Sequence, residues 1–267
     1  MRTYYAVLRL RLLNGLQYRG AAFAGVATQF CWGSIYIMIY EAFYSHAGSP
    51  PPMTLKELVA YIWLQQALLA LIVLWFRDND LFDLIAKGNI AYELCRPFDM
   101  YSFWFSKLIA QRLSAAFLRS LPILFIAFLI PKPYRMSLPL SFLSFIVFVV
   151  TLLLAVILLV AISMFMYLSV FITMSPTGSL LMFNLIGEFF AGLVVPIPLM
   201  PNGLQRLANV LPFRYTMDFP FRVYSGQIPV EQALYGILIQ LAWLILLVGF
   251  GRVTLNKVLA KVVVQGG

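Results

Sequence analysis

Apolar positions along this chain gather into long, near-continuous runs, not short clusters or alternating pairs. Runs of about 20 residues suit membrane-crossing helices, which satisfy their backbone polar groups internally. They lack the period of two that barrel strands would carry. The pattern predicts spans over 20–44, 56–76, 103–130, 138–172, 177–195 and 230–251, the fourth long enough to tilt or to project beyond a bilayer. Turn residues punctuate the runs: Gly48 to Pro52, Pro131 and Pro133, then Ser175, Pro176 and Gly178, and finally Pro196, Pro198 and Pro201. Ahead of the first span, residues 3–18 place Tyr4, Val7, Leu8 and Leu12 at helical spacing among arginines. That segment predicts a basic amphipathic helix lying on the membrane surface. Arg9 and Arg11 interrupt what would otherwise resemble a cleavable signal.

Two stretches break the apolar pattern. The first is 77–99, a charged interlude with helical spacing. Six of the ten acidic residues lie in or near it: Asp78, Asp80, Asp83, Glu93 and Asp99, with Glu57 upstream. Asp80 is expected to cap a short helix, with Asp83 in its first turn. Leu81, Leu84 and Ile85 share one face, Asp83 and Lys87 form an i,i+4 pair, and Gly88 supplies the stop. A second short piece, 90–95, ends before Arg96 and Pro97. Oily runs on both sides make this a solvent-facing element held at a membrane surface, suited to docking a protein. The second stretch is 196–228, where three prolines end the fifth run. Leu204, Leu207, Ala208 and Leu211 then fall opposite Gln205, Arg206 and Asn209, followed by an aromatic, proline-rich return. A re-entrant or interfacial hairpin is expected, because broken helices at membrane depth need protein or a cavity to satisfy their backbone.

Composition supports the same class. Hydrophobic residues make up 62% of the 267 and charged residues 11%, against roughly a quarter charged in soluble domains; mean hydropathy is +0.89. The expected protein is an all-α, polytopic membrane domain over 1–267. Its net charge of +9 is scattered between spans and forms no nucleic-acid patch. With both termini cytoplasmic, twelve Lys and Arg fall on the inner side and six on the outer, as the positive-inside rule requires. The interlude is then cytoplasmic.

Chemistry of other kinds is sparse. His46 stands alone, and Cys31 and Cys95 suggest no disulfide framework. There is no phosphate loop, nucleophile elbow, H-E-x-x-H motif or Cys/His cluster, so neither ATP hydrolysis nor a metal site is expected on this chain. Arg119 and Glu188 lie inside predicted spans, near mid-depth, where a charge is costly and usually paired or lining a water-filled route. They are candidates for an intramembrane pair, with Glu188 facing the protein interior.

The order of elements resembles the membrane subunit of an ABC-2 type ABC transporter. The stretch 80–99 is similar to the family pattern in which I-x-x-G precedes L-x-R-P, here Ile85, Gly88, Leu94, Arg96 and Pro97. The block with Gly192, Pro196, Pro201, Leu211 to Phe213 and Gly226 resembles the family's last signature. The resemblance covers essentially the whole chain. It implies an elbow helix at 3–18, six spans, a coupling helix between spans two and three, and a re-entrant hairpin between five and six. It further implies a second membrane subunit, identical or related, and separate cytoplasmic ATPase subunits carrying ATP and Mg. By position, Asp80, Leu81, Asp83, Leu84, Ile85, Lys87, Gly88, Arg96 and Pro97 would couple to the ATPase. Trp32, Tyr36, Gln65, Gln66, Asn184, Glu188 and Phe189 would be candidates to line the route. Members mostly export drugs, lipids, glycoconjugates or peptides, and this chain departs in having very small outer loops. A six-span channel or ion-coupled carrier is the competing expectation; an intramembrane enzyme lacks a catalytic constellation.

Overall fold

A computed structural model describes residues 9, 10, 19–46, 48, 50–95 and 97–260. The surface helix expected over 3–18 therefore lies almost wholly outside the described residues, as does Arg96. Among the described residues there is helix and no strand. The helices are α1 (Arg19–Ser45), α2 (Leu55–Ala67), α3 (Leu69–Ile72), α4 (Asn79–Ala86), α5 (Ala91–Leu94), α6 (Met100–Leu129), α7 (Phe142–Thr173), α8 (Pro176–Ala191), α9 (Asn202–Val210), α10 (Asp218–Ser225) and α11 (Val230–Leu259). Two 3-10 turns, Ile197–Leu199 and Pro212–Thr216, join α8 to α10.

Among the described residues, three helices, α6, α7 and α11, are long and apolar enough to cross a membrane. The other predicted spans differ in length. α1 has 27 residues, but α8 has only 16, below the roughly 20 that a straight crossing needs. The second predicted span is two helices, because the chain breaks at Leu68 between α2 and α3 and leaves helical geometry at Val73.

α7 is the central post. It packs against α11, α10, α8, α6 and α4, and its middle turns, from Leu158 to Met164, are buried. α2 is buried along most of its length between α1, α6 and α10. Its start follows from local chemistry: Thr54 accepts from the Glu57 amide while the Glu57 carboxylate accepts from the Thr54 amide, satisfying two orphan donors at once. α1 reaches α2 closely at Gly33, where an added Cβ would sit 2.8 Å from the Trp63 ring. Between α8 and α11 the chain turns back into the bundle, since Tyr215 to Phe221 are buried and α10 packs on α2 and α7. Within α9, Ala208 is buried, but Leu207, on the same apolar side, is exposed.

Candidate functional site

The charged interlude is a short helix with two unlike faces. Its N-cap is Asp78, not Asp80: the Leu81 amide donates to the Asp78 carboxylate at 3.2 Å. Helix α4 ends at Ala86, and Gly88 follows with φ of +73°, a conformation glycine adopts without steric cost. Lys87 and Asp83 pair at 2.8 Å as the spacing predicts. Leu81, Phe82 and Ile85 are buried, so Leu81 and Ile85 face the bundle and Leu84 is only half-buried. Phe82 joins this buried face although the Leu-x-x-Leu-Ile spacing points to its neighbours. Its ring lies 4.6 Å from that of Tyr167 on α7. Asp80, Asp83, Lys87, Gly88 and Pro97 are exposed.

What fixes α4 is a polar anchor that periodicity did not reveal. Asp78 is 2% exposed. Lys107 on α6 lies 3.1 Å from its carboxylate and 3.9 Å from that of Asp80. The Asp78 amide donates to the Tyr167 hydroxyl oxygen at 2.7 Å, and Gln111 donates to the Arg77 carbonyl at 3.0 Å. One turn deeper, Arg112 is buried and donates to the Val73 carbonyl at 2.6 Å and to the Ser163 hydroxyl at 3.1 Å. Arg112 thus caps the frayed end of α3, where unsatisfied carbonyls and the helix dipole favour a cation. Lys107 and Arg112 are both among the twelve Lys and Arg that the sequence count puts on the inner side. Burial makes them ties between α3, α6, α7 and the interlude.

Asp99 caps α6, accepting from the Ser102 amide at 2.9 Å. The side-chain hydrogen bond from Ser102 is the main reason its carboxyl titrates below the usual range, with Arg252 nearby at 3.9 Å adding to the effect.

Arg119 and Glu188 do not pair: no contact within 4.0 Å joins them. The Arg119 guanidinium passes over Gly25 and lines a crevice of about 190 Å3 with Gln29, Gln66 and Trp75. Glu188 is half-buried and approached by Asn184, whose Oδ1 is itself buried without a partner. Of the other route candidates, Trp32 is exposed and its ring lies 5.9 Å from the half-buried Tyr36. Phe189 packs edge-on to Phe190 at 5.2 Å. Gln65 is committed, donating to the Leu193 carbonyl at 2.9 Å. The candidates therefore fall into separate groups, and only Gln66 and Arg119 share one crevice.

A second buried charge cluster lies where the chain returns after α8. Asp218 is fully buried, with Arg214 at 3.4 Å, Arg222 at 3.3 Å and the Tyr61 hydroxyl donating at 3.4 Å. Tyr61 also donates to the Gly192 carbonyl at 3.1 Å. The i−4 and i+4 positions of the two arginines about Asp218 were the sequence signal for this knot. Among the described residues, no group of three or more His, Cys, Asp or Glu side chains gathers as a metal site.

Compared with protein-family models, curated proteins and solved structures, the chain matches none of them. The molecule is defined on its own geometry as an all-helical protein of membrane character.

Proposed function

We propose that this chain is the membrane permease subunit of an ATP-driven transporter of the ABC-2 type. It exports an amphipathic or hydrophobic compound, whether drug-like, lipid, glycoconjugate or peptide. Two such subunits, identical or related, work with separate cytoplasmic ATPase subunits that bind ATP and Mg. In this reading α1, α2 with α3, α6, α7, α8 and α11 are six spans, 196–228 is a re-entrant outer hairpin, and both termini and 77–99 are cytoplasmic.

The observation that carries the proposal is the two-sidedness of α4. Its exposed face presents Asp80, Asp83 and Lys87, while Leu81, Phe82 and Ile85 key into a core shared with α6, α7, α8 and α11. A surface helix of this kind can receive a push on one side and pass it to long helices on the other. Asp78 and Lys107 make the link stiff. ATP-driven closure of the ATPases then tilts α6 and α7 together, changing access to a route near the crevice of Gln66 and Arg119.

The test is a pull-down in mild detergent from native membranes, comparing wild type with a double variant, Asp83→Ala and Leu84→Ala. Recovery of a Walker-motif protein with wild type, and its loss or uncoupling in the variant, supports the proposal. Absence of any ATPase from the wild-type preparation sinks it in favour of an ATP-independent channel or carrier.

A further inference from the structure

At the end of the bundle opposite α4, the link between α6 and α7 forms a cationic pocket that opens onto an apolar groove. The pocket holds about 700 Å3 and is lined by Lys56, Lys132 and Arg135 with Phe128, Met136 and Leu138. All three cations are exposed and none has an acidic partner within 4.0 Å. Glu41 accepts from the hydroxyl of Tyr134, the neighbour of Arg135, and Glu57 from the Thr54 amide. Phe128, Met136 and Leu138 also line the adjoining groove of about 760 Å3. That groove runs between α6 and the first turns of α7, past Phe142, Phe145, Val149 and Leu152. Its walls are otherwise almost entirely apolar, and Leu138, Leu140 and Phe142 at its mouth are among the most exposed apolar side chains.

We infer that this paired pocket and groove binds an anionic lipid, with its charged headgroup on Lys56, Lys132 and Arg135 and its acyl chains along α6 and α7. Length selects this occupant. From Phe142 to Leu152 the groove follows α7 for about 15 Å at 1.5 Å per residue. That is half of a hydrocarbon core of roughly 30 Å, the depth of one leaflet. A second membrane helix would call for an apolar face along the full thickness. Charge selects the headgroup, since three cations without acidic partners favour a headgroup of net negative charge over a zwitterionic one. The site stands independently of any ATPase partner.

The experiment is native mass spectrometry of the purified full chain with phosphatidylglycerol or phosphatidylcholine, in wild type and in the triple variant Lys56→Gln, Lys132→Gln and Arg135→Gln. Circular dichroism and gel filtration check the fold. Wild type should hold phosphatidylglycerol preferentially. Each cation beside an anionic headgroup is worth about fivefold, so the triple variant should lose that preference by up to about a hundredfold. If the triple variant does not fold, the exposed single change Lys132→Gln gives the smaller expected loss. Val149→Trp, which fills the groove, should weaken lipid binding with every cation in place. Unchanged preference in the cation variants overturns the inference. So does displacement of the lipid by soluble glycerol 3-phosphate at comparable concentration, because the groove would then contribute nothing.

Discussion

Lys107 on α6 holds the buried carboxylate of Asp78 at 3.1 Å, so the helix that begins at Asp78 is fastened to a long membrane-type helix by a charge pair. The pair explains why a short, charged segment keeps a fixed seat between oily runs. It also makes Asp78 a better lever than any residue on the exposed face of α4.

Breaking that pair should be costly and non-additive. Asp78→Asn removes the closer of the two carboxylates beside Lys107, and Lys107→Met removes a cation from beside the buried Asp78. Each should lower stability by about 2–3 kcal/mol, since each deletes one half of a largely buried charge pair. The double variant should cost less than the sum, by about 1–2 kcal/mol. Thermal unfolding of all four proteins in one detergent measures the cycle; strict additivity would show that the two groups do not interact.

Asp218 anchors the returning segment. With Arg214, Arg222 and Tyr61 arranged around a fully buried carboxylate, Asp218→Asn leaves two cations competing for a neutral amide. A loss of about 3 kcal/mol is expected. Proteolysis near Asn202 to Val210 should rise in parallel, because α9 is tied to this knot through Arg214 and Asn209. A variant with wild-type melting and digestion would refute the anchoring role.

Two glycines should respond in opposite directions. Gly33→Ala places a methyl group 2.8 Å from Trp63 and 3.2 Å from Gln66, forcing α1 away from α2 at about 1–3 kcal/mol. Gly203, inside α9, meets nothing within 4 Å. Gly203→Ala should therefore stabilise by up to about 1 kcal/mol through helix propensity alone. Equal melting temperatures for the two variants would contradict this packing.

Acid should act on α6 through Asp99. Its carboxyl is held below the usual range chiefly by the side-chain hydrogen bond from Ser102. A depressed value means that the stabilisation is present above the unfolded-state value of about 3.9 and is lost as pH falls through the folded-state value. The melting temperature of wild type should therefore fall more steeply than that of Asp99→Asn as the medium is acidified through that window. Parallel curves would remove Asp99 from the acid response. The group is exposed, so the effect should be small and screened by salt.

Much of the architecture was legible in the sequence because lipid-like apolar runs have one solution, the helix. The ends of α6 and α7 and the start of α11 fall near the expected places, although α11 runs on to Leu259, eight residues past the expected end, and Gly88 and the Asp83–Lys87 pair behave as their spacing dictates. Hydropathy could not see the break at Leu68, because no turn residue marks it. Nor could it see that the short α3 stops at Val73, whose carbonyl is capped by Arg112, far along the chain. The same blindness to distant partners explains the misplaced N-cap. Asp78 and Asp80 are equivalent locally, and the distant Tyr167 hydroxyl, which accepts from the Asp78 amide, together with the closer approach of Lys107 to Asp78 favours Asp78. Counting cations by side likewise treated Lys56, Lys132 and Arg135 as a remainder, although the turn after α6 brings them around one pocket.

The most direct test of the proposed coupling role is site-directed cross-linking in native membranes. Cys31 and Cys95 are both exposed, so a background of Cys31→Ser and Cys95→Ser comes first. Cysteine is then introduced as Asp83→Cys on α4 or as Arg206→Cys on α9. A short thiol-to-amine cross-linker should join the Asp83→Cys protein to a single ATP-hydrolysing partner, with a yield that changes when ATP is added, and should leave the Arg206→Cys protein unlinked. No adduct at Asp83→Cys, or equal adducts at both positions, would contradict a docking role for α4 and with it the transporter proposal.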